Sequence, residues 1–337
     1  MKLQNRKRAD HLKYGCGAAL LSAMLTVTLV ATFAAAALWQ QWRSVEVEIA
    51  ERARVQVAWL LVGALDWSRL ILRIDGRAAT TDHLAEPWAV ALQESRLSTF
   101  LAADKNNTGG LTAEEQVDAF LSGNIVDAQS KLNVFNLIDA GQVSAPDLAA
   151  FKKLFAHFNL PATELESFVT NLTSSLAANA PKTATLMPQR VRQLTWLGLR
   201  PQTLAKLTPY ITLLPERTTV NINTAPAEVI FASVPSLELA DAKLTVTSRE
   251  RAHFPSLADA ATAVPALNGK LKDTQHSVAT HFFEVIGRIR LEQTVVEEQS
   301  LVQRDLSSNV KTLWRERSVV ASPEIISNTS STSPQLQ

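Results

Sequence analysis

The chain has 337 residues, and its 33 Lys and Arg residues nearly balance its 32 Asp and Glu residues. This balance excludes a protein that binds nucleic acid by its bulk charge, because phosphate binding needs a concentrated positive field. The single cysteine, Cys16, excludes an intrachain disulfide framework and a structural zinc site made of cysteines. Hydrophobic residues make up 46% of the chain, which is enough for a sizeable core, and the length predicts about two domains.

A basic leader and a long apolar run form the N-terminal region. Residues 1–13 carry five basic side chains and one acidic side chain, and residues 14–42 carry no charged side chain at all. About 20 apolar residues are enough to cross a bilayer as a helix, so this run predicts one transmembrane segment. The positive charge before it predicts that the N-terminus stays in the cytoplasm and that the rest of the chain lies across the membrane.

Three interpretations of this region are open. It is a signal peptide cut in the small-residue run 34–37, which would release a soluble periplasmic protein, or it is a signal anchor that is never cut. The third interpretation is cleavage after Gly17, which lies ahead of the apolar run, so that the mature protein keeps its membrane segment. Apolar residues continue at intervals of three or four beyond the run and predict one helix from Ala18 to about Arg73. A helix of this kind favours the third interpretation, since it suits a filament subunit.

The basic leader, the glycine ahead of the apolar run and the long helix together resemble the type IV pilin-like proteins. The resemblance implies that a prepilin peptidase cuts between Gly17 and Ala18 and that Ala18 becomes N-methylated. Most members of that family carry a glutamate at the fifth mature position, where this chain has Ser22. A chain without the glutamate cannot pair in the same way with the charged amine of a neighbour inside the membrane. The K-type minor pseudopilins of type II secretion systems depart from the family in this way.

A polar segment after the long helix extends the resemblance to the K-type proteins. Asp127, Gln129, Asn133 and Asn136 follow a spacing similar to a motif of that family, and Ser130 replaces a glycine in it. The resemblance implies an α+β fold. It is a type IV pilin-like fold, with a long N-terminal transmembrane helix packed on an antiparallel sheet, that carries a large inserted α-helical domain.

The predicted organisation follows the order of the chain, with a turn expected at Asp75-Gly76. It comprises a cleaved basic leader (1–17), a long helix (18–74, transmembrane to about residue 42), pilin-like strands and loops (75–143), an inserted helical domain (144–270), C-terminal antiparallel strands (271–319) and a disordered tail (320–337).

Several side chains are assigned structural roles. Ser144 with Asp147 approximates a capping box at the start of the helical domain. In the C-terminal strands, one face is expected to pack against the long helix through Val285, Ile289 and Leu313. On the long helix itself, Asp66 and Arg69 are interpreted as a solvated ion pair, and Trp59 and Trp67 as packing residues.

Residues 219–267 resemble a helix-hairpin-helix module, in which glycines let backbone N–H groups approach the phosphates of DNA. Here leucines stand where the hairpin glycines belong, and residues 221–270 carry four basic against five acidic side chains. The segment is therefore predicted to be a structural module that does not bind nucleic acid.

Another motif has the spacing of a calcium-binding loop. Oxygen-bearing side chains lie at the first, third, fifth and twelfth positions of an EF-hand pattern, and a glycine lies at the sixth: the four are Asp104, Asn106, Thr108 and Glu115. Two of them are carboxylates, so a solvated turn competes with calcium binding here. No other cofactor is expected.

The chain carries no Walker, G-x-S-x-G or H-E-x-x-H motif, no catalytic residue is predicted, and it is not expected to be an enzyme. The resemblance implies a minor pseudopilin, single-pass in the bacterial inner membrane with most of the chain in the periplasm, that caps the pseudopilus and supports the export of folded proteins. The implied partners are the I- and J-type minor pseudopilins, the major pseudopilin, the prepilin peptidase and the inner-membrane secretion platform. A membrane-anchored DNA-uptake protein and a minor pilin of a related type IV pilus are the alternatives.

Overall fold

The computed structural model describes residues 15–96, 119–176, 186–291 and 294–320. The chain divides at Leu60 into two units, Met1–Leu60 and Leu61–Gln337, and the long helix α1 (Gly15–Ala78) contributes to both. The calcium loop predicted from Asp104, Asn106, Thr108 and Glu115 lies outside the described residues, as do nearly all of the predicted leader and tail.

In the first unit, the described residues are the part of α1 that ends at Leu60. Its polar side chains satisfy themselves within the helix, because each hydroxyl donates to a backbone carbonyl three or four residues earlier, over 2.8–2.9 Å: Ser22, Thr26, Thr28 and Thr32. Within the described part of the chain, α1 is the one helix long and apolar enough to cross a membrane. This fits a single-pass membrane anchor.

The second unit continues from Leu61 and contains both strands and helices. In chain order they are β1 (Leu92–Arg96), β2 (Ala119–Asp127), β3 (Leu132–Asn133), β4 (Ile138–Asp139), β5 (Gln142–Val143), α2 (Ala145–His157), α3 (Ala162–Leu176), α4 (Pro201–Leu207), β6 (Ile211–Thr212), β7 (Val220–Asn221), α5 (Ala227–Ser233), α6 (Leu239–Arg251), α7 (Leu257–Ala263), β8 (His276–Ser277), β9 (Phe282–Leu291), β10 (Thr294–Arg304) and β11 (Val310–Val320).

A five-stranded antiparallel sheet in the order β1-β2-β9-β10-β11 forms the pilin-like part of this unit. One face of the sheet packs on the C-terminal turns of α1, where Leu65 and Leu72 share a buried cluster with Phe283, Val285 and Val302. The expected fold is confirmed: a long apolar helix, an antiparallel sheet and a helical domain inserted between β2 and β9.

The helical domain has a hydrophobic core of its own. Residues from α2 to α7 and from the 3-10 helices between them bury a large apolar cluster, which includes Phe151, Leu165, Phe168, Leu194 and Ile230. Two short parallel pairs, β3 with β6 and β7 with β8, tie the domain back to the segments that enter and leave it. Both cores belong to the same unit of the chain, so the domain is not a freely tethered module.

The turn predicted at Asp75-Gly76 is wrong, because α1 runs through both residues and ends at Ala78 rather than at residue 74. The glycine serves a packing purpose instead. A Cβ atom at Gly76 would lie 2.8 Å from Cδ of Arg304, so a larger residue would collide with that side chain. Glycine inside a helix costs about 1 kcal/mol relative to alanine, and here it admits a buried arginine.

Two local assignments need correction. Ser144 does precede α2, but its hydroxyl donates to Asp147 Oδ2 over 2.5 Å and accepts no backbone N–H, so it does not form a capping box. Leu313 does not face α1, although Val285 and Ile289 are buried as expected. A bulge where Leu301 pairs with Trp314 makes Leu313 an extra residue, and its side chain packs in the cluster on the opposite face of the sheet.

A pair of facing glycines in the sheet provides a test of this packing. Gly123 on β2 pairs with Gly287 on β9, and a Cβ atom at Gly123 would lie 2.6 Å from the carbonyl oxygen of Ile286. We expect Gly123→Ala to lower the free energy of unfolding by about 1–3 kcal/mol, because the backbone must shift. Urea unfolding of the purified chain measures it.

The neighbouring glycine supplies the control. A Cβ atom at Gly287 would meet Leu61 Cδ2 at 3.4 Å, which is ordinary contact. Gly287→Ala should therefore cost clearly less than Gly123→Ala. Equal losses at the two positions would contradict the close approach between β2 and β9.

Candidate functional site

The residues assigned to processing lie at the start of α1. The helix begins at Gly15, so Gly17 and Ala18 both belong to its first turns. Ser22, at the position where related proteins carry a glutamate, is exposed and donates its hydroxyl to Ala19 O over 2.9 Å. A neutral side chain that is satisfied within its own helix needs no charged partner in the membrane.

Large apolar side chains project from α1 into solvent. Trp59 is 71% exposed and Trp67 is 48% exposed. Their interpretation as packing residues stays a prediction. Leu70 and Ile74 on the same helix are exposed as well. Several large apolar side chains exposed on one helix indicate a place where another molecule packs.

Arg69 has a second role beyond the predicted ion pair. It pairs with Asp66, with 2.8 Å between Nη1 and Oδ1, but its Nε and Nη2 groups also donate to Val310 O over 3.1 and 2.8 Å. The guanidinium therefore fastens α1 to the start of β11. The predicted ion pair is therefore present, and Asp66 is largely in solvent, but Arg69 is half-buried because it also binds a backbone carbonyl 241 residues away.

A buried arginine sits at the C-terminal end of α1. Arg304 donates to Asp75 Oδ2 over 2.9 Å, to Asp82 Oδ1 over 2.5 Å and to Thr280 O over 3.1 Å. Asp75, Asp82 and Glu86 lie close enough together to suggest a metal site, but the cation among them is the Arg304 guanidinium. Burial, followed by the charge of Glu86, raises the pKa of Asp75 to about 6.

Asp127 joins the sheet to the helical domain. Its Oδ2 atom accepts from Asn221 Nδ2 over 2.9 Å and from Thr224 Oγ1 over 2.5 Å, and its Oδ1 atom accepts from the Gln129 N–H over 2.7 Å. Asn221 also donates to the carbonyl oxygen of Asp82 over 3.0 Å. Complete burial raises the pKa of Asp127 to about 6 in spite of these bonds. We refer to Asp82, Asp127, Asn221 and Arg304 as the junction network.

The other polar residues of the predicted motif act at the same junction. Gln129 donates to Thr219 O and accepts from the His281 N–H, over 3.0 and 2.7 Å. Asn133 and Asn136 each use the side-chain amide in both directions, donating to and accepting from backbone groups of residues 214–218. The motif is therefore a set of backbone clamps that hold the chain as it enters and leaves the helical domain.

Side-chain hydrogen bonds to backbone groups also stabilise the segment that resembles a helix-hairpin-helix. Asn223 donates to Phe254 O and accepts from the Phe254 N–H, each over 2.9 Å, and Arg249 donates to Ile222 O over 2.5 Å. These side chains are buried and committed to internal bonds. This supports the predicted structural role of the segment.

A buried histidine beside this segment makes stability depend on pH. Burial lowers the pKa of His276 to about 4, and its Nδ1 atom accepts from the Lys272 N–H over 3.2 Å. In the unfolded chain the histidine has a pKa near 6.5. Between about pH 6.5 and pH 4 the unfolded chain is therefore protonated at this residue, whereas the folded chain is not. Stability from this residue is therefore complete above pH 6.5 and is lost as the pH falls towards 4.

The pH dependence of stability is measured by comparing the wild type with the variant His276→Gln. Between pH 7 and pH 4 we expect the wild type to lose about 3 kcal/mol more than His276→Gln, which retains an acceptor but does not titrate. Asp75 and Asp127 act in the opposite direction, since their raised pKa values favour the folded state at low pH, but they contribute equally to both proteins. Parallel pH curves for the two proteins would refute the assignment.

Sequence comparisons identify relatives of this architecture. The family model for protein K of the type II secretion system matches residues 220–279, the segment that contains Asn221, Asn223 and His276. The type II secretion system protein K of Pseudomonas aeruginosa is 23% identical over 326 residues, which is 89% of this chain and 92% of that protein. Together these matches support a K-type minor pseudopilin of the type II secretion system.

The fold agrees with a solved member of the family. The chain resembles a structure described as the GspK-GspI-GspJ complex from the type 2 secretion system of enterotoxigenic Escherichia coli, with a TM-score of 0.62 and 18% identity. The match covers 80% of this chain and 98% of the solved one. The K-type minor pseudopilins are structural components of a protein-transport system.

Some residues that matter were not singled out in the sequence. Trp88, which no sequence pattern marks, is fully buried against Phe283 and donates to Glu86 Oε2 over 2.6 Å. Arg304 was one of several arginines in predicted strands. One signal was available in the sequence. Residues two apart on a strand face the same side, so Arg304 lies on the same buried face of β10 as Val302.

Proposed function

We propose that this K-type chain is trimmed after Gly17, methylated at Ala18 and held in the bacterial inner membrane by α1, with the N-terminus in the cytoplasm before cleavage. The bulk of the chain lies in the periplasm and works without catalytic chemistry. The apolar surface of α1 packs against other pseudopilins, and the chain caps the tip of the periplasmic pseudopilus.

The observation that carries this proposal is an exposed apolar helix on a chain that matches protein K over nearly its whole length. Ser22 supports the position at the tip. In pilin-like proteins the glutamate at this position pairs with the amine of an adjacent subunit, and a subunit at the end of the filament lacks one of its neighbours. The related complex contains GspI and GspJ, so we propose the I- and J-type minor pseudopilins as partners of this chain, together with the major pseudopilin, the prepilin peptidase and the inner-membrane platform.

The test is complementation of a bacterium whose own gene for this chain is deleted. We expect the deletion to stop export of the folded proteins that the type II system carries, and the full-length chain to restore it. The chain purified from membranes in mild detergent should carry the I- and J-type proteins with it. Normal export in the deletion strain, together with loss of a surface pilus, would instead assign the chain to a related type IV pilus.

A second arm tests the helical domain. A chain that lacks residues 144–270 should reach the membrane, as shown by immunoblot, but should fail to restore export. Unchanged export would show that the domain is not needed at the tip.

A further inference from the structure

The hairpin between α5 and α6 turns several backbone carbonyl groups towards one lysine side chain. Lys153, on α2, donates from Nζ to three carbonyl oxygens of this hairpin. They belong to Phe231, Val234 and Leu237 and lie 2.5, 3.0 and 3.3 Å from Nζ. We refer to these three oxygens as the carbonyl cradle. A positive charge surrounded by several backbone oxygens has the coordination of a bound metal ion.

The sequence explains why a carbonyl of the cradle needs a partner from outside its own helix. In a continuous helix the carbonyl of Phe231 accepts from the N–H four residues later, but that residue is Pro235, which has no N–H. The next residue, Ser236, has a φ of +52°, so the chain turns here and does not continue α5. Carbonyls that are left over at the C-terminal end of a helix attract positive charge.

The surroundings of the cradle also favour a cation. Nζ of Lys153 lies 4.2 Å from the centre of the Phe231 ring, a distance at which the face of an aromatic ring attracts a positive charge. Burial lowers the pKa of Lys153, the charge of Glu238 raises it, and the charge of Lys270 lowers it. Burial acts in this direction because the ammonium group gives up hydrating water in the folded chain. The three carbonyl oxygens take the place of that water.

The chemistry of the cradle selects a monovalent cation. Potassium channels replace the hydration shell of K⁺ with backbone carbonyl oxygens alone, whereas Ca²⁺ and Mg²⁺ sites usually include carboxylates. The three described acceptors of Lys153 Nζ are uncharged carbonyl oxygens. An ammonium group and a potassium ion are similar in size, so oxygens that are spaced to hold the one are spaced to hold the other.

We propose that the hairpin between α5 and α6 is a binding site for one monovalent cation of the size of potassium, and that the tethered ammonium group of Lys153 occupies it in this chain. The inference goes beyond the proposed function, because it concerns the helical domain alone. It explains how the segment that resembles a helix-hairpin-helix keeps its hairpin closed without an ion from solution, since the chain supplies the cation itself.

The test removes the ammonium group and then offers ions from solution to the cradle. In Lys153→Met the side chain ends one atom short of the position of Nζ, so the charge is lost and the space among the carbonyls stays open. In tetramethylammonium chloride we expect the full-length variant in detergent to have an equilibrium constant for folding at least about ten-fold smaller than that of the wild type. Hydrogen bonds from a charged donor contribute about that factor.

Potassium or ammonium chloride at the same total concentration should then recover at least half of the fall in the urea midpoint of Lys153→Met, because an ion that binds the folded chain alone stabilises it by mass action. Lithium chloride should recover less, since the lithium ion is smaller and holds its water more tightly. Urea unfolding, followed by circular dichroism, measures all four salts.

Lys152→Met is the matched control, since Lys152 is the neighbouring residue on α2 and is exposed. It should be as stable as the wild type, and neither protein should distinguish potassium from tetramethylammonium. An equal gain from potassium in all three proteins would be a general effect of salt and would overturn the proposal. A Lys153→Met chain that is no less stable than Lys152→Met, or that gains nothing from potassium and ammonium, would overturn it as well.

A variant that is too unstable to purify in tetramethylammonium chloride still decides the question. Folded Lys153→Met that is obtained only when potassium or ammonium is present throughout purification would support the cation site. If the variant folds in none of the four salts while Lys152→Met folds in all of them, Lys153 holds the hairpin by packing, and the proposal of an ion site is wrong.

Discussion

Replacing Arg304 with methionine is expected to lower the free energy of unfolding by about 3–5 kcal/mol. The side chain of Arg304 is 8% exposed and that of Asp82 is 2% exposed. Methionine fills much of the volume but leaves the Asp82 and Asp75 carboxylates buried together without a cation. The carbonyl oxygen of Thr280 also loses its donor. Removing one partner of a buried pair costs far more than the pair contributes, because a charge is left uncompensated.

Urea unfolding of the full-length protein in detergent measures this loss. Arg288→Met is the matched control, since Arg288 lies on the neighbouring strand β9 and its side chain, which pairs with Glu297, is 57% exposed. Exposed pairs contribute about 1 kcal/mol or less, so the control should change little. Similar losses for the two variants would show that the Arg304 network does not hold the end of α1.

A double replacement examines the cause of the loss. Arg304→Met combined with Asp82→Asn removes the uncompensated charge at Asp82 and should recover part of the stability lost by Arg304→Met alone. If the two losses simply add, then lost packing and not the stranded carboxylate accounts for the effect.

Replacing Gly17 with valine is expected to stop both the trimming of the leader and the export of folded proteins. The uncut chain keeps the five basic side chains of residues 1–13 next to the membrane segment. Moving such charges into hydrocarbon costs several kcal/mol each, so the leader cannot follow α1 into a filament. The helix would stay anchored in the membrane at its N-terminal end.

An immunoblot of the membrane fraction should show the longer chain in Gly17→Val, and export assays in the complemented deletion strain should show no recovery. Gly15→Val is the control, because it changes a glycine two residues upstream and leaves the cleavage junction intact. A Gly17→Val chain that is shortened normally would remove the basis for processing at this position.

The elements of the fold followed from local patterns in the sequence. Strands β9, β10 and β11 alternate in polarity, and their antiparallel meander is as expected. The helical domain is visible from the apolar face of α2 and from the prolines near helix starts, such as Pro146. Periodicity carries this information because each element buries one face, and the burial pattern repeats with the geometry of the backbone.

The junction network was not visible in the same way. Arg304, Asp82 and Asp127 are far apart in the chain, and no periodic pattern links a strand end, a loop and a second strand. Gly76 was misread for the same reason, since a glycine next to an aspartate usually marks a turn. The physical cause of the glycine, contact with Arg304, comes from a residue 228 positions later.

The tryptophans of α1 show a second limit of prediction from hydrophobic periodicity. Trp67 lies on the apolar stripe of α1 and Trp59 lies beside that stripe, and both side chains are exposed. The stripe is wider than the surface that the sheet covers, so the remaining apolar side chains stay exposed. Periodicity tells which residues avoid water, but it does not distinguish the chain's own core from a neighbouring protein.

The central claim is that the apolar part of α1 stays on the mature protein as its means of assembly. Mass spectrometry of the N-terminal peptide, taken from chain purified out of bacterial membranes, tests it most directly. We predict a peptide that begins at Ala18 and carries one added methyl group. A peptide that begins downstream of Phe33, with no membrane segment left, would contradict the claim.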